Sequence, residues 1–244
     1  MFSHVPEPRY LTHVILDRAS VPSFEEYPFN LPIVRSLDRL ELHPRVNFFI
    51  GENGSGKSTL LEAIAVRWGF NAEGGTKNFN FSTRASHSRL SDQIRLSRSA
   101  NRPLDGFFFR AESFFNVATE IERLGVDGCY GGKPLHEMSH GEAFLTLMTT
   151  RVDGHGLYLL DEPEAALSPQ RQLAILTRIH DLVMDSSQFL IATHSPILLA
   201  YPDAWIFECS GEGLRRIEYE ETEHYRVTRD FLMNPARMIK LLTE

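Results

Sequence analysis

The sequence has few cysteines and no long apolar segment, and each absence excludes a class of protein. Cys129 and Cys209 are the two cysteines among 244 residues, and no CxxC pair occurs. We therefore expect neither a disulfide framework nor a cysteine zinc site. No apolar run reaches the roughly 18 residues that a membrane-spanning helix needs. The N-terminus lacks the basic and then apolar order of a secretory signal, so we expect a cytoplasmic protein without a membrane span.

Positive charge is also scarce. The 32 acidic side chains outnumber the 25 basic ones, and the net charge of −7 argues against a protein that coats nucleic acid through bulk charge. Residues 71–106 are an exception, with six basic against three acidic side chains. One interpretation is a solvated antiparallel or irregular insertion, and the other is a contact with DNA through arginines and stacking aromatic rings. The side chains that would serve the second interpretation are Arg84, Arg89, Arg95, Arg98, Arg102, Phe79 and Phe81.

Apolar strands alternate with helices along most of the chain. Strands are predicted over residues 10–16, 40–43, 46–50, 107–109, 157–160 and 189–193, with a hairpin over 204–209 and 214–219. Helices are predicted over 58–70, 113–124, 141–151, 169–185 and the last twenty residues. Because the central strands are apolar throughout, this order favours an α/β fold with a mostly parallel sheet flanked by helices. We expect one domain over residues 1–244, with residues 71–135 as an insertion and helical lobe within it.

A glycine-rich phosphate loop follows the strand 46–50. Residues 51–58, GENGSGKS, match the pattern G-x-x-x-x-G-K-[ST] in full, between an apolar strand and a helix. The glycines allow backbone N–H groups to turn around an anion, and the helix start adds partial positive charge. Lys57 is expected to reach the β- and γ-phosphates of ATP, and Ser58 to place its hydroxyl on Mg²⁺. The predicted nucleotide-binding residues are Gly51, Asn53, Gly54, Ser55, Gly56, Lys57, Ser58 and Thr59.

Two acidic residues follow the apolar strand 157–160. Asp161 and Glu162 are expected at the carboxyl edge of the parallel sheet, where the ligands of such sheets bind. Asp161 is predicted to hold Mg²⁺ together with Ser58, and Glu162 to polarise the attacking water. Phosphoryl transfer depends on positioning and charge stabilisation, so the sequence predicts ATP hydrolysis with Lys57 and Glu162 among the catalytic residues.

A second candidate anion site lies between these motifs. Ser139, in the sequence MSHGE, is a favourable N-cap for the following helix, and Gly141 allows close approach of the backbone. With this motif the chain resembles the ABC-type ATPases, because Ser139, Gly141 and Glu142 match S-x-G-[QE] in their LSGGQ signature, while His140 replaces a glycine. The resemblance implies that Ser139 and Gly141 of one subunit cap the γ-phosphate held by the other.

The resemblance extends to the next two segments. Residues 164–169, EAALSP, lie where the family has its D-loop. His194 ends the strand 189–193, where the family has a switch histidine that contacts the γ-phosphate, and this implies a catalytic role for His194. The family's Q-loop follows a strand such as 107–109, but no glutamine is present there, and Arg110 or Glu112 are the candidates to replace it.

The sequence DEPEAALSP and the later THSP are similar to the RecF/SMC-like branch of the family, which includes stand-alone ATPases. Transporter subunits usually have DEPTxxLD and THD instead. Ser139 lies 82 residues after Lys57 without a heptad pattern, so no coiled-coil arms are expected. An aromatic residue before the phosphate loop is expected to stack on adenine. Tyr27, Phe24 and Phe29 are candidates for that role, and core packing is the other interpretation for them.

Together these features predict an ATP-binding and ATP-hydrolysing protein that pairs head to tail with a second copy. The process that this cycle serves is left open between DNA repair, phage defence and a DNA-associated accessory role beside a nuclease or toxin. The ATP-binding subunit of an ABC transporter is the alternative from another class. The partners expected are nucleotide, a second copy of the chain, and DNA or another protein.

Overall fold

The computed structural model describes residues 10–75, 89–113, 119, 138–165 and 167–244, and for His140 it describes the backbone alone. Most of the predicted helix 113–124 lies outside these residues, as do Phe79, Phe81, Arg84 and Cys129. The described strands are β1 (Leu11–Leu16), β2 (Arg39–Glu41), β3 (Val46–Ile50), β4 (Ile94–Arg98), β5 (Asp105–Arg110), β6 (Gly156–Asp161), β7 (Gln188–Ala192), β8 (Ala204–Ser210) and β9 (Gly213–Ile217). The described helices are α1 (Pro32–Arg35), α2 (Lys57–Trp68), α3 (Leu90–Gln93), α4 (His140–Thr150), α5 (Pro169–Met184), α6 (Pro196–Leu199), α7 (Glu223–Met233) and α8 (Pro235–Thr243).

Six strands form the main sheet in the order β5-β6-β7-β3-β8-β9. Neighbouring strands are parallel except for β8 and β9, which form the predicted antiparallel hairpin at one edge. The three neighbouring strands β6, β7 and β3 are buried along their whole length, as expected for a sheet covered on both faces. The predicted α/β fold with a mostly parallel sheet is therefore confirmed.

Helices cover the two faces of the main sheet. Side chains alternate between the faces, so that Phe48 and Leu160 pack with α4, α5 and α6, whereas Phe49 and Leu159 pack with α2. α2 and α4 thus lie in different layers, on opposite sides of the sheet. This separation matters below, because α2 begins at the phosphate loop and α4 begins at the MSHGE motif.

A second, antiparallel sheet has the order β2-β1-β4 and packs on α2. Its position differs from the prediction for residues 71–106, because β4 supplies only one of its three strands, and β1 and β2 precede the phosphate loop. The first residues of β5 also belong to this range, and they lie in the main sheet. Leu16 pairs with Ile94 across a long stretch of sequence, and a local sequence pattern does not reveal such a pairing.

Most predicted elements agree with the described ones to within one or two residues. The last twenty residues, predicted to be helical, lie in two helices, because Asn234 caps the start of α8 and Pro235 follows it. None of the helices in the described residues is long and apolar enough to traverse a lipid bilayer.

Candidate functional site

Three neighbouring strands of the main sheet end at the same edge and carry the predicted residues there. The phosphate loop, residues 51–58, follows β3, Asp161 is the last residue of β6, and His194 comes shortly after β7. β7 lies between β3 and β6 and is parallel to both. Because parallel strands bring their carboxyl ends to one edge, the phosphate loop, the acidic pair and His194 converge at this edge.

Glycines give the phosphate loop a backbone path that other residues rarely follow. Gly51 has a φ of +141°, and a Cβ atom added there would lie 2.1 Å from the carbonyl oxygen of Cys209 on β8. Gly54 and Gly56 have φ values of +82° and +97°, and Gly56 is the N-cap of α2. The loop therefore lies against the end of β8 and leads directly into the start of the helix, as an anion-binding loop requires.

Lys57, the first residue of α2, folds back over the phosphate loop. Its Nζ atom donates to the carbonyl oxygens of Gly51 at 2.7 Å and Glu52 at 2.9 Å. Burial lowers the pKa of the Lys57 ammonium, while nearby acidic groups oppose this shift. The side chain is thus a positive charge held over the loop by two neutral carbonyls, which phosphate oxygens can replace.

Ser58 and Asp161 join the phosphate loop to the acidic strand end. The Ser58 hydroxyl donates to Asp161 Oδ1 at 2.9 Å. Asp161 is 5% exposed, and burial raises the pKa of its carboxyl to about 6, although Arg110 and Ser58 lower it. The Arg110 Nε atom lies 3.7 Å from Asp161 Oδ2. These two residues form the polar link between α2 and β6 at the centre of the site.

The side-chain oxygen atoms of Ser58 and Asp161 are suitable ligands for Mg²⁺. Mg²⁺ prefers hard oxygen ligands, and it usually binds one or two protein groups together with waters and substrate phosphates. The Ser58 hydroxyl and the Asp161 carboxylate are such ligands and lie side by side. Among the described residues, no group of three or more His, Cys, Asp or Glu side chains is arranged to hold a metal ion. The two oxygen ligands of Ser58 and Asp161 thus suit a cation that also binds waters and phosphate oxygens.

Glu162 follows Asp161 in a strained conformation. Its φ is +52°, a left-handed value that is uncommon for residues with a side chain and that clusters at functional sites. The Glu162 amide donates to the carbonyl of Ala192 on β7 at 2.9 Å, which holds the backbone in place. Its carboxylate is partly exposed, and Oε1 lies 3.9 Å from His194 Nε2. The strand end thus directs one carboxylate toward Ser58 and the next toward His194.

His194 is held by a buried carboxylate. Its amide donates to Glu164 Oε1 at 2.6 Å, and burial raises the pKa of Glu164. Burial also lowers the pKa of the His194 ring, and the charge of Lys57 adds to this effect. His194 Nδ1 lies 3.2 Å from Nε2 of His224, at the start of α7. A cavity of about 520 Å³ adjoins the phosphate loop and is lined by Ile50, Gly51, Glu52, Asn53, His194, Glu208, Glu223 and His224.

The MSHGE motif forms a capped helix start away from this cavity. The Ser139 hydroxyl accepts from the amide of Glu142 at 3.3 Å, and the Glu142 carboxylate accepts from the amide of Ser139 at 3.1 Å, a complete capping box. Arg171 on α5 pairs with Glu142 at 3.1 Å. Ser139 is exposed, whereas Gly141 is buried. Ser139 and Gly141 therefore begin a helix on the face of the sheet opposite α2.

The three candidate adenine-stacking residues have different environments. Phe29 is buried in the core, and Phe24 packs against the guanidinium of Arg18 at 4.7 Å. Tyr27 is 64% exposed, and its hydroxyl lies 3.0 Å from Thr59 Oγ1 in the first turn of α2. Tyr27 is therefore the candidate whose ring is both exposed and next to the nucleotide-binding residues, and core packing accounts for Phe29.

The two candidates for the Q-loop position, Arg110 and Glu112, also have different environments. Arg110 ends β5 beside Asp161, and its guanidinium donates to Glu62 Oε2 at 2.6 Å. The Glu112 side chain is 86% exposed and lies 3.8 Å from Arg110. Of the two, Arg110 is the residue that contacts the acidic strand end.

In the basic segment, two of the candidate arginines have intramolecular partners. Arg95 pairs with Asp17, and Arg98 stacks on Trp68 at 4.2 Å. Arg89 and Arg102 are exposed. Arg95 and Arg98 are exposed too, so the four described candidates all lie at the surface, and two of them are held there by the contacts just named.

Sequence reasoning missed two residues that contact His194. Glu164 comes two residues after Glu162 in the DEPE segment, and this closeness to the acidic pair was the signal that could have identified it. His224 is thirty residues from His194 along the chain and lies in no recognisable motif. The contact arises because α7 folds back onto the sheet edge, and nothing in the local sequence indicates this.

Two family models match the chain. One, described as "AAA domain", matches residues 29–117. The other, described as "AAA domain, putative AbiEii toxin, Type IV TA system", matches residues 130–200. Together they span about two thirds of the chain and include the phosphate loop, the MSHGE motif, the acidic pair and His194.

Two curated proteins are similar to part of the chain. The DNA replication and repair protein RecF of Colwellia psychrerythraea is 72% identical over 25 residues, which are 10% of this chain and 7% of RecF. The match thus spans far less than two thirds of the RecF chain. The thiamine import ATP-binding protein ThiQ of a Ruegeria species is 28% identical over 167 residues, covering 60% of this chain and 69% of ThiQ.

Solved structures with similar chains come from transporters and from SMC proteins. CbiO1 of Clostridium perfringens, part of the ABC transporter complex cbiONQ, has 20% identity and a TM-score of 0.48, with 97% of this chain and 100% of that chain covered. The SMC head domain of Thermotoga maritima has 15% identity and a TM-score of 0.44, with 86% and 98% covered.

Proposed function

We propose that this chain, a P-loop ATPase domain of the AAA/ABC type, binds ATP at the phosphate loop and hydrolyses it, and that ATP joins two copies head to tail. The observation that carries the first part is the hydrogen bond between Ser58 and Asp161. It joins the loop expected to hold phosphates to the strand end expected to hold the catalytic acid. Lys57, Glu162 and His194 lie around this link, so that the groups needed for phosphoryl transfer converge at one edge of the main sheet.

Binding begins with an exchange of partners at Lys57. Its Nζ atom is bonded to two carbonyl oxygens of the loop, and phosphate oxygens are stronger, charged acceptors for the same donor. The backbone N–H groups of the loop and the start of α2 bind the remaining phosphate charge. Ser58 and Asp161 would hold Mg²⁺, which when bound neutralises charge on the phosphates. Thr59 holds the hydroxyl of Tyr27 close by, which suits stacking of that ring on adenine.

Hydrolysis needs a base and a group that contacts the terminal phosphate. Glu162 is a partly exposed carboxylate beside His194, and it is suited to accept a proton from the attacking water. His194 Nε2 is suited to donate to the terminal phosphate. The products are ADP and inorganic phosphate, with the charge of Lys57 stabilising the transferring group.

The separation of the two helix starts supports the proposed head-to-tail dimer. The Ser139 and Gly141 helix lies on the opposite face of the sheet from α2, so one chain does not bring both helix starts to one nucleotide. In a symmetric dimer, the phosphate loop of one copy faces Ser139 and Gly141 of the other, and two equivalent sites form. ATP then supplies negative charge that both faces bind, so ATP binding and dimerisation become one event.

The test uses the variant Glu162→Gln, which removes the base but keeps the shape of the side chain. We expect it to bind ATP, to hydrolyse it very slowly and to form dimers in light scattering with ATP but not with ADP. Glu212→Gln, at an exposed position in the β8–β9 turn, is the matched control and should hydrolyse ATP as the wild type does. Hydrolysis by Glu162→Gln at the wild-type rate would remove Glu162 from the mechanism, and a monomer at saturating ATP would exclude the head-to-tail dimer.

For the cellular process, we propose a role among the RecF/SMC-like ATPases of DNA repair or defence, in company with DNA, a nuclease or a toxin. The RecF match, the toxin–antitoxin description of one family model and the DEPE and THSP sequences support this proposal. The ThiQ match favours the alternative, an ATP-binding subunit of a transporter.

The two processes differ in the ligand that stimulates ATP hydrolysis. A DNA-associated ATPase should hydrolyse faster with DNA, and the double variant Arg89→Ala/Arg102→Ala should reduce this gain. The double variant Arg237→Ala/Lys240→Ala, at two exposed positions on α8, serves as a charge-matched control. An unchanged rate with DNA, together with copurification of a membrane protein, would favour the transporter alternative instead.

A further inference from the structure

Two histidine rings meet at the edge of the candidate site. His194 Nδ1 lies 3.2 Å from His224 Nε2, and the ring centroids are 5.3 Å apart. Both rings line the cavity beside the phosphate loop. Within the described part of the chain, their outer nitrogens, His194 Nε2 and His224 Nδ1, are buried and have no hydrogen-bond partner. The pair is thus a hydrogen-bonded unit with one free nitrogen at each end.

The direction of this hydrogen bond decides what His194 can do. Burial lowers the pKa of both rings, which favours the neutral form of each, and a neutral imidazole carries a proton on only one nitrogen. If His194 donates through Nδ1, its Nε2 carries a lone pair and repels an anionic phosphate. If His224 donates through Nε2, His194 keeps its proton on Nε2, and this atom becomes a donor toward the cavity. An anionic ligand requires the second arrangement.

We propose that His224 is a positioning residue that fixes the tautomer of His194: the Nε2–H group of His224 donates to His194 Nδ1, so that His194 Nε2–H donates to the terminal phosphate of ATP. This inference rests on the proposed function, because it deepens the role given there to His194. Hydrogen bonds to the second nitrogen commonly set which ring nitrogen of a functional histidine carries the proton. Because ADP lacks the terminal phosphate, the pair should favour ATP over ADP.

A series of hydrogen bonds connects the start of α7, which carries His224, to the loop after His194. The Tyr225 amide donates to Thr222 Oγ1 at 3.2 Å, so Thr222 caps α7 two residues before His224. The Thr222 hydroxyl donates to the carbonyl of Tyr219 at 2.8 Å, and the Tyr219 hydroxyl donates to the carbonyl of Pro196 at 2.9 Å. Pro196 is two residues after His194. The start of α7 is therefore fixed to the segment that carries His194.

The first experiment reads the tautomer directly. Two-bond ¹H–¹⁵N spectra of the full chain labelled with ¹⁵N-histidine distinguish the Nε2–H from the Nδ1–H form, and loss of a signal in His194→Gln assigns His194. We expect the Nε2–H form in the wild type without nucleotide. His224→Gln, whose side-chain amide can still donate, should retain this form. His224→Leu, which has no donor, should lose it in favour of a mixture.

The second experiment measures discrimination between nucleotides. In the Glu162→Gln background, which prevents turnover, the dissociation constants of ATP and ADP are determined by calorimetry. His224→Leu should weaken ATP binding about twofold, because only about half of the molecules would then hold the competent Nε2–H tautomer, and leave ADP binding unchanged. His224→Gln should restore the preference for ATP. A residue with a purely structural role would change both affinities together.

Two results would overturn the proposal. One is an Nδ1–H tautomer of His194 in the wild type, and the other is an equal loss of ATP and ADP affinity in His224→Leu. If the wild-type chain binds neither nucleotide, the proposed function fails, and the contact of His194 with a phosphate fails with it. The tautomer spectrum, recorded without nucleotide, separately decides whether His224 sets the ring of His194.

Discussion

At the scale of single residues, the candidate site contains a buried carboxylate that is costly to ionise. Asp161 is almost fully buried, and burial raises the pKa of its carboxyl to about 6 from an ordinary value of 3.8. At a pH between these two pKa values, the Asp161 carboxyl is therefore more protonated in the folded chain than in the unfolded chain. Because of this difference, the free energy of unfolding falls as the pH rises from about 4 to about 6. Above that range, the folded protein holds an ionised carboxylate at the position where a cation is expected.

Asp161→Asn should consequently stabilise the protein when no Mg²⁺ is present. Asn keeps an oxygen that accepts from Ser58, and it carries no charge. The gain in free energy of unfolding should be about 2–3 kcal/mol near pH 8 and smaller near pH 5, as measured by urea unfolding in EDTA. Asp181→Asn on α5 is an exposed control and should show the same small effect at both pH values. A destabilised Asp161→Asn near pH 8 would contradict the cost assigned to this burial.

Gly51 provides a second test at this scale. Ala at this position would place Cβ 2.1 Å from the Cys209 carbonyl and would adopt a φ of +141°. Gly51→Ala should therefore lose about 3 kcal/mol of stability or distort the loop and abolish ATP binding. Thermal unfolding and nucleotide titration measure the two outcomes. Gly211→Ala, where a Cβ meets nothing within 4 Å, is the control, and equal behaviour of the two variants would show that the loop does not need its glycine.

At the scale of elements, the start of α7 is positioned by its N-cap. Thr222 is fully buried, caps the helix and bonds to the turn before it. The short helical turn of residues 219–221 and the first turn of α7 thereby form one hydrogen-bonded unit. This unit includes the hydrogen bond from the Tyr219 hydroxyl to the Pro196 carbonyl. Loss of the unit should therefore disturb the candidate site more than the main sheet.

Thr222→Ala should destabilise the chain by about 1–2 kcal/mol, the usual effect of removing an N-cap hydroxyl. Hydrogen exchange should increase in the amides of α7 more than in those of β3 or β7. Thr222→Ser keeps the hydroxyl and should leave exchange close to that of the wild type. Protection of α7 that is unchanged in Thr222→Ala would mean that the cap does not position this helix.

The elements show what the sequence could predict and why the rest was not predictable. The strands of the main sheet and the phosphate loop were predicted closely, because buried strands and glycine-rich loops are contiguous patterns. The partner of β1 was not predictable, since Leu16 and Ile94 meet only after the chain between them has folded. The same holds for His224, whose contact with His194 depends on where α7 lies. The choice of Tyr27 over Phe29 depended on burial, which the sequence does not specify.

At the scale of the whole molecule, the main sheet separates the two helix starts that are proposed to bind phosphate. The phosphate loop leads into α2 on one face, and Ser139 begins α4 on the other. In the single chain, the Glu142 carboxylate accepts from the amide of Ser139 at the start of α4. The same helix start would also stabilise a bound anion through its partial positive charge. The net charge of −7 does not oppose a polyanionic ligand, because the groups proposed to bind it are backbone amides, one lysine and a cation.

The claim that two chains share each nucleotide is tested most directly by mixing two inactive variants. Lys57→Ala removes the charge at the phosphate loop, and Ser139→Arg blocks the helix start proposed to face it. In a mixed dimer, both defects fall in one site, and the other site combines the intact loop of one chain with the intact Ser139 of its partner. Random pairing should restore about a quarter of the wild-type ATP hydrolysis. A mixture that remains as inactive as either variant alone would contradict the account.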